Sequence, residues 1–171
     1  MIRGVHHTSL STRNFDAMLH FYRDLLGLPF VISYDWSIGS TASDKCVGLK
    51  DSAAKTALLR AGNTYVEIFE YLSPIGAPAI PNRRACDVGI THICFDVVDV
   101  IGEYERLAAA GVKFHTPPVE ADVFRTTYGR DPDGNIFELQ EVLSPLAPQR
   151  LTNLVPDIVT STLGQALSRE R

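Results

Sequence analysis

Gly134-Asn135-Ile136-Phe137-Glu138-Leu139-Gln140-Glu141 repeats, with small changes, the pattern Gly62-Asn63-Thr64-Tyr65-Val66-Glu67-Ile68-Phe69-Glu70. Each stretch opens on a glycine and an asparagine suited to a turn, runs on as an apolar strand, and places a glutamate four or five residues after the glycine. The chain is therefore read as one unit written twice.

Working outward, the first copy starts with a strand from Gly4 to Ser11 and a helix from Asn14 to Leu26. Phe15, Met18, Leu19, Tyr22, Leu25 and Leu26 give that helix its three-and-four apolar spacing, and Gly27 stands at its end. Strand-like runs follow at Leu28 to Trp36, Lys55 to Arg60 and Tyr65 to Tyr71, with a long connection from Ser37 to Ala54. After the Pro-rich stretch Ser73 to Pro81 the order restarts. Ile90 to Val98 is a strand, and a helix begins near Val100 with Ile101, Tyr104, Leu107 and Ala108 on its apolar face and Gly111 at its close. Val112 to Pro117, Val123 to Arg130 and Ile136 to Val142 complete the second copy. The fold class expected is α+β: two βαβββ modules, 4–71 and 89–142, forming a curved mixed sheet with helices outside, in one domain of residues 1–142 followed by a C-terminal extension, 143–171. In that extension Pro145 and Pro148 precede a mildly amphipathic Ile158 to Leu167, read as an arm ending in a short helix.

The first strands each carry a histidine, His7 and His92, and the last strands each carry a glutamate, Glu67 and Glu138. Alternation puts His92, Cys94 and Asp96 on one face and Thr91, Ile93, Phe95 and Val97 on the other; Glu138 likewise opposes Phe137 and Leu139, and Glu67 opposes Val66 and Ile68. A carboxylate in such company needs a partner, because an unpaired buried charge is costly. Two imidazoles and two carboxylates aimed at one point would suit a divalent cation. By the same alternation His6 points away from His7, while His20, on the first helix, and His115 are read as structural or solvent-facing.

Composition narrows the function classes. The 171 residues are 45% hydrophobic and 21% charged, enough for a core without disulfides. A net charge of −4 with no dense Lys/Arg stripe argues against a nucleic-acid partner and for a small molecule. Three cysteines without a CxxC spacing read as reduced thiols in a cytoplasmic protein, and no apolar run is long enough to span a membrane.

The motifs GVHHTSL, FYRDLLGL, YVEIFEYLSP, ITHICFDVVDV and RDPDGNIFELQE, covering about residues 4 to 142, resemble the vicinal oxygen chelate superfamily, which includes glyoxalase I, methylmalonyl-CoA epimerase, fosfomycin-resistance thiol transferases, extradiol dioxygenases and bleomycin-binding proteins. The resemblance implies one metal ligand from each of four strands: His7, Glu67, His92 and Glu138. This His-Glu-His-Glu set is most similar to that of bacterial glyoxalase I. It further implies Glu138 as a mobile base with Glu67 as its partner, and a homodimer. Such a donor set takes Ni, Co, Mn, Fe(II) or Zn, and leaves two octahedral positions open.

The resemblance thus implies a metal-dependent isomerase, epimerase or lyase acting through an enediolate-like intermediate. The alternatives are a non-haem Fe(II) extradiol-type dioxygenase, a thiol transferase and a metal-free binding or resistance protein. Tyr34, Trp36 and Phe69 are candidate apolar walls of the substrate site, and Arg125 and Tyr128 candidate holders of a substrate carboxylate or hydroxyl.

Overall fold

A computed structural model describes residues 2, 4–80 and 82–153. The fold is α+β, as expected from the sequence, and its hydrogen-bonded ladders form two mixed sheets, one per module. Among the described residues the chain divides into two compact units, one of Val5–Thr91 with Arg130–Asn135, the other built on His92–Gly129 and residues 136–153.

In the first unit the elements are β1 (His7–Thr12), α1 (Phe15–Leu19), β2 (Phe30–Ile32), α2 (Thr41–Val47), β3 (Ala53–Ala61) and β4 (Thr64–Ser73). They make a four-stranded sheet of order β1-β4-β3-β2. The first strand lies parallel to the last, with Ser9 opposite Glu67; the β3/β4 hairpin sets Leu58 opposite Glu67 and Thr56 opposite Phe69. Asn14 caps α1 by accepting from the Ala17 amide at 3.2 Å. The expected single helix changes pitch at His20, where a π-helical segment, His20–Leu25, takes over and the Leu26 amide reaches back to the Phe21 carbonyl at 2.9 Å. That wider turn brings both Phe21 and Tyr22 into the core beside Met18, Val66, Ile68 and Leu59. Gly27 ends the segment at φ 71°, a conformation glycine adopts without a Cβ penalty.

Two local expectations change here. The run Leu28 to Trp36 pairs only at Phe30–Ile32 and again where Trp36 bridges Ala54. The connection Ser37 to Ala54 contains α2, which has no buried residue and hence no apolar period to read; its marks are a Ser40 cap and Gly48 at φ 68°.

The second unit repeats the topology. It contains β5 (Ile93–Asp96), α3 (Val100–Ala109), β6 (Lys113–Phe114), β7 (Val119–Ala121), β8 (Phe124–Arg130) and β9 (Ile136–Val142). Its sheet runs β5-β9-β8-β6, with the unforeseen β7 also on β8. Again first and last strands are parallel, Cys94 opposite Glu138. Asp99 caps α3 through the Gly102 amide, and Val100 and Leu107 are its buried face. β9 has the bounds expected from sequence; β5 is shorter than expected, so that His92 immediately precedes it.

The turn Asp131–Asn135 links β8 to β9 but packs in the first unit. Asp131 accepts from the amides of Asp133 and Asn135, from the Asn135 side chain and from the Tyr22 hydroxyl. Among the described residues no helix is long and apolar enough to cross a membrane. The helix expected at Ile158 to Leu167 lies outside the described residues.

Candidate functional site

In the first unit, the parallel pairing of β1 with β4 brings His7 Nε2 to 3.4 Å from Glu67 Oε2. Ser9, on the rung opposite Glu67, donates its hydroxyl to the same oxygen at 2.5 Å. Glu67 is only 9% exposed, so these two groups answer the cost of burying its charge. His6 corrects the expectation from alternation. The strand starts at His7, alternation does not govern the residue before it, and His6 Nδ1 meets His7 Nδ1 at 2.8 Å. With His7 Nε2 turned toward the acceptor-only Glu67 carboxylate, neutral His7 carries its proton on Nε2 and its Nδ1 accepts from His6.

The second unit builds a denser version around Glu138, which is 6% exposed. His92 Nε2 lies 3.0 Å from Oε2, and the Thr126 hydroxyl donates to Oε1 at 2.5 Å. Tyr128 and Cys94 stand within reach of the charge of this carboxylate. Burial, then the charge of Glu138, pushes the Tyr128 phenol and the Cys94 thiol each up to about 12, so both stand as protonated donors. The His92 ring packs edge-on to Tyr128 at 5.1 Å. Its Nδ1 is buried with no hydrogen-bond partner among the described residues, and its polar contact runs through Nε2 to Glu138.

Both pairs suit a divalent ion. Ligand atoms about 2.1 Å from one ion lie about 3.0 Å apart at a right angle and about 3.4 Å apart at a tetrahedral angle. The His–Glu separations of 3.0 and 3.4 Å match those spacings. For His7, the contact to His6 also supplies the partner that a ligating imidazole needs at its far nitrogen. Among the described residues no group of three or more His, Cys, Asp or Glu side chains is gathered to hold a metal, so what each unit offers is a pair.

The other candidates separate. Trp36 and Phe69 come together at 5.9 Å between ring centroids, and Tyr71, unforeseen, joins them at 6.1 and 5.6 Å. Tyr34 is 56% exposed and ties to the sheet by its amide, which donates to Thr56 Oγ1. Arg125 alternates away from Thr126 and Tyr128 and is engaged by Glu120 across the β7/β8 rung at 2.7 Å, so of the two proposed polar contacts only Tyr128 stands by Glu138. His20 pairs with Asp24 at 2.9 Å, and His115 stacks on Tyr128 at 6.5 Å. Ser9, Cys94 and Tyr71 were discoverable as residues two or four along a strand from a ligand. Thr126 depends on the β8/β9 pairing, which no local signal fixes.

The family described as the Glyoxalase/Bleomycin resistance protein/Dioxygenase superfamily matches residues 4–139. Among characterised proteins, biphenyl-2,3-diol 1,2-dioxygenase 3 of Rhodococcus globerulus is 31% identical over 94 residues, 52% of this chain and 48% of that enzyme. The chain thus spans about half the length of the relative it matches. Among solved structures, a glyoxalase family protein of Bacillus cereus superposes with a TM-score of 0.75 at 18% identity, over 84% of this chain and 97% of that one. The fosfomycin resistance protein FosX of Listeria monocytogenes, crystallised with Mn(II) and a dihydroxypropylphosphonic acid, gives 0.58 at 21% identity over 85% and 96%. Lactoylglutathione lyase of Agrobacterium tumefaciens gives 0.53 at 24% over 81% and 92%.

Proposed function

Since the chain belongs to the Glyoxalase/Bleomycin resistance protein/Dioxygenase superfamily, we propose that it is a divalent-metal-dependent isomerase, epimerase or lyase working through an enediolate-like intermediate on a small oxygenated molecule. His7, Glu67, His92 and Glu138 are the ligand set, for Ni, Co, Mn, Fe(II) or Zn. The observation that carries this reading is the repeated pair: in each module a nearly buried glutamate on the last strand meets a histidine Nε2 delivered by the first. Structural repeats do not require two such costly pairs at the same rung. The Mn(II) held by FosX, a fold neighbour, agrees with a metal role.

When bound, the ion supplies a Lewis acid that offsets negative charge developing on a substrate oxygen. The chain's own groups handle the proton. Glu138, the mobile ligand, takes it from the carbon next to the carbonyl once its Oε2 is free, while Thr126 holds Oε1. Tyr128 and Cys94, protonated beside it, stabilise the carboxylate before the transfer. Glu67, held by Ser9, is the second carboxylate and the partner of that base. The reading includes a homodimer in the cytoplasm, in keeping with the free Cys46, Cys86 and Cys94.

The decisive experiment is elemental analysis of purified wild type beside Glu67→Ala. About one divalent ion per chain, lost in the variant, supports the four-ligand reading; no ion in either after reloading sinks it and favours a binding protein. Glu138→Gln should retain weakened metal binding and lose solvent proton exchange into substrate; full exchange in that variant would remove Glu138 as base. A second reading, an Fe(II) dioxygenase, draws on the sequence match to the biphenyl-diol enzyme. It needs two histidines and one carboxylate. Oxygen uptake by Fe(II)-loaded protein with catechols, and metal retained in Glu67→Ala, would favour it.

A further inference from the structure

The face of β4 that carries Glu67 continues into a group of three aromatic rings. Tyr65, Glu67, Phe69 and Tyr71 alternate onto one side of the strand. Phe69 and Tyr71 lie nearly parallel, 12° between planes at 5.6 Å, and Trp36 meets both edge-on at 5.9 and 6.1 Å. Each ring is only partly covered. Across the ladder on β3, Phe69 and Tyr71 stand opposite the buried Thr56 and Ala54.

This shelf is held by polar contacts beneath it. Trp36 bridges Ala54 through both backbone hydrogen bonds at 3.1 Å, and its indole Nε1 donates to Ser52 Oγ at 2.9 Å. Ser52 is fully buried, and Asp44, on α2, receives both its amide and its hydroxyl. Asp44 on α2 is thus linked through Ser52 to the indole ring. A fixed, half-open aromatic surface gives up apolar burial that a loop of ordinary composition would keep. Such surfaces are characteristic of ligand sites, where a few polar groups adjoin apolar walls. Residues two apart on a strand are about 7 Å apart, so Phe69 begins one ring-width from Glu67.

We propose that Trp36, Phe69 and Tyr71 form a subsite for a flat aromatic ring, and that the substrate is an aryl compound whose adjacent oxygens lie at His7 and Glu67. This rests on the metal-enzyme reading above and narrows its substrate from small oxygenated molecules to those carrying an aryl group next to the reacting oxygens. The polar end is set by the His7–Glu67 pair, the ring lies over Phe69, and the edge of Trp36 closes the far side.

The test uses benzohydroxamate and acetohydroxamate, two oxygen chelators that differ as phenyl against methyl, titrated calorimetrically into Zn(II)-loaded protein. Aromatic contacts of this kind predict about a tenfold preference for benzohydroxamate. Trp36 is the single tryptophan of the chain, so benzohydroxamate should also change its fluorescence while acetohydroxamate does not. Trp36→Leu and Phe69→Ala should each reduce the preference to about threefold or less, leaving acetohydroxamate affinity unaltered, and Trp36→Phe should retain it. Equal affinity of the two chelators in wild type, or a preference that survives both truncations, would overturn the subsite. Toluene titrated into metal-stripped protein separates the two proposals: quenching of Trp36 that is lost in Phe69→Ala supports the shelf even where no metal binds, and absence of quenching counts against the shelf alone.

Discussion

Ser9 Oγ donates to Glu67 Oε2 across the third rung of the β1/β4 ladder at 2.5 Å, and Cys94 stands opposite Glu138 in the second module. Ser9 thus orients the carboxylate that His7 faces. Groups in this supporting role commonly change metal affinity by about 10- to 100-fold when removed. Ser9→Ala should weaken metal binding by about tenfold, measured by competition with a chromophoric chelator, while Ser9→Thr restores most of it. Unchanged affinity in Ser9→Ala would leave the hydroxyl a purely structural role.

Gly129 is the last residue but one of β8, within a strand where glycine is ordinarily unfavourable. The reason is a ring on its backbone: a Cβ there would meet Phe114 Cδ1 at 3.1 Å and press closer still on the fully buried Phe137. Gly129→Ala should destabilise by about 1–3 kcal/mol through overpacking, read from urea midpoints. Combining it with Phe137→Leu should recover part of the loss.

Tyr22 is 1% exposed and its hydroxyl reaches Asp131 Oδ2 at 2.9 Å. Tyr22→Phe keeps the ring and deletes one donor to a buried carboxylate. We expect a loss of about 1–3 kcal/mol in denaturant unfolding, with the aromatic near-ultraviolet signal otherwise preserved.

Burial raises the pKa of Asp131 above its ordinary value of 3.8, against the opposing hydrogen bonds from Asn135 and Tyr22. The sign follows from which state keeps its proton. Below 3.8 both folded and unfolded chains hold it and the contribution is complete; as pH rises, the unfolded chain releases it first, so stability falls until the pH passes the raised folded value. The stability difference between wild type and Asp131→Asn, which does not titrate, should therefore be most favourable to wild type below pH 3.8 and smaller at neutrality. A difference that grew with pH would show that the hydrogen bonds outweigh burial.

The sequence disclosed what local periodicity and repetition encode. β9 appears with the bounds expected, Gly27 and Gly111 stand at φ 71° and 91° where helices end, and the module order recurs in both sheets. Helix α2 escaped because nothing on it is buried, and the π-helical turn because three-and-four spacing does not register one additional residue per turn. Within the candidate site, recurrence on matching strands of the two modules singled out His7, Glu67, His92 and Glu138 as candidates. It could not identify which groups approach them from neighbouring strands. Ser9 and Thr126 acquire their roles from register, and Arg125 loses its proposed role because β7, too short to be read, supplies Glu120.

The membership of the Asp131–Asn135 turn in the first unit bears on how such a protein can be divided or recombined. The linker between the modules looks like the natural place to cut a duplicated chain. A fragment ending at Thr91, however, lacks the carboxylate that receives the Tyr22 hydroxyl and the Arg130 guanidinium that binds the Arg83 carbonyl at 2.9 Å. Whatever half-length ancestor the repeat preserves, neither half here is a transplantable part. A chimera with a relative would have to carry residues 130–135 together with residues 5–91, leaving the crossover points on either side of a turn and not in the linker.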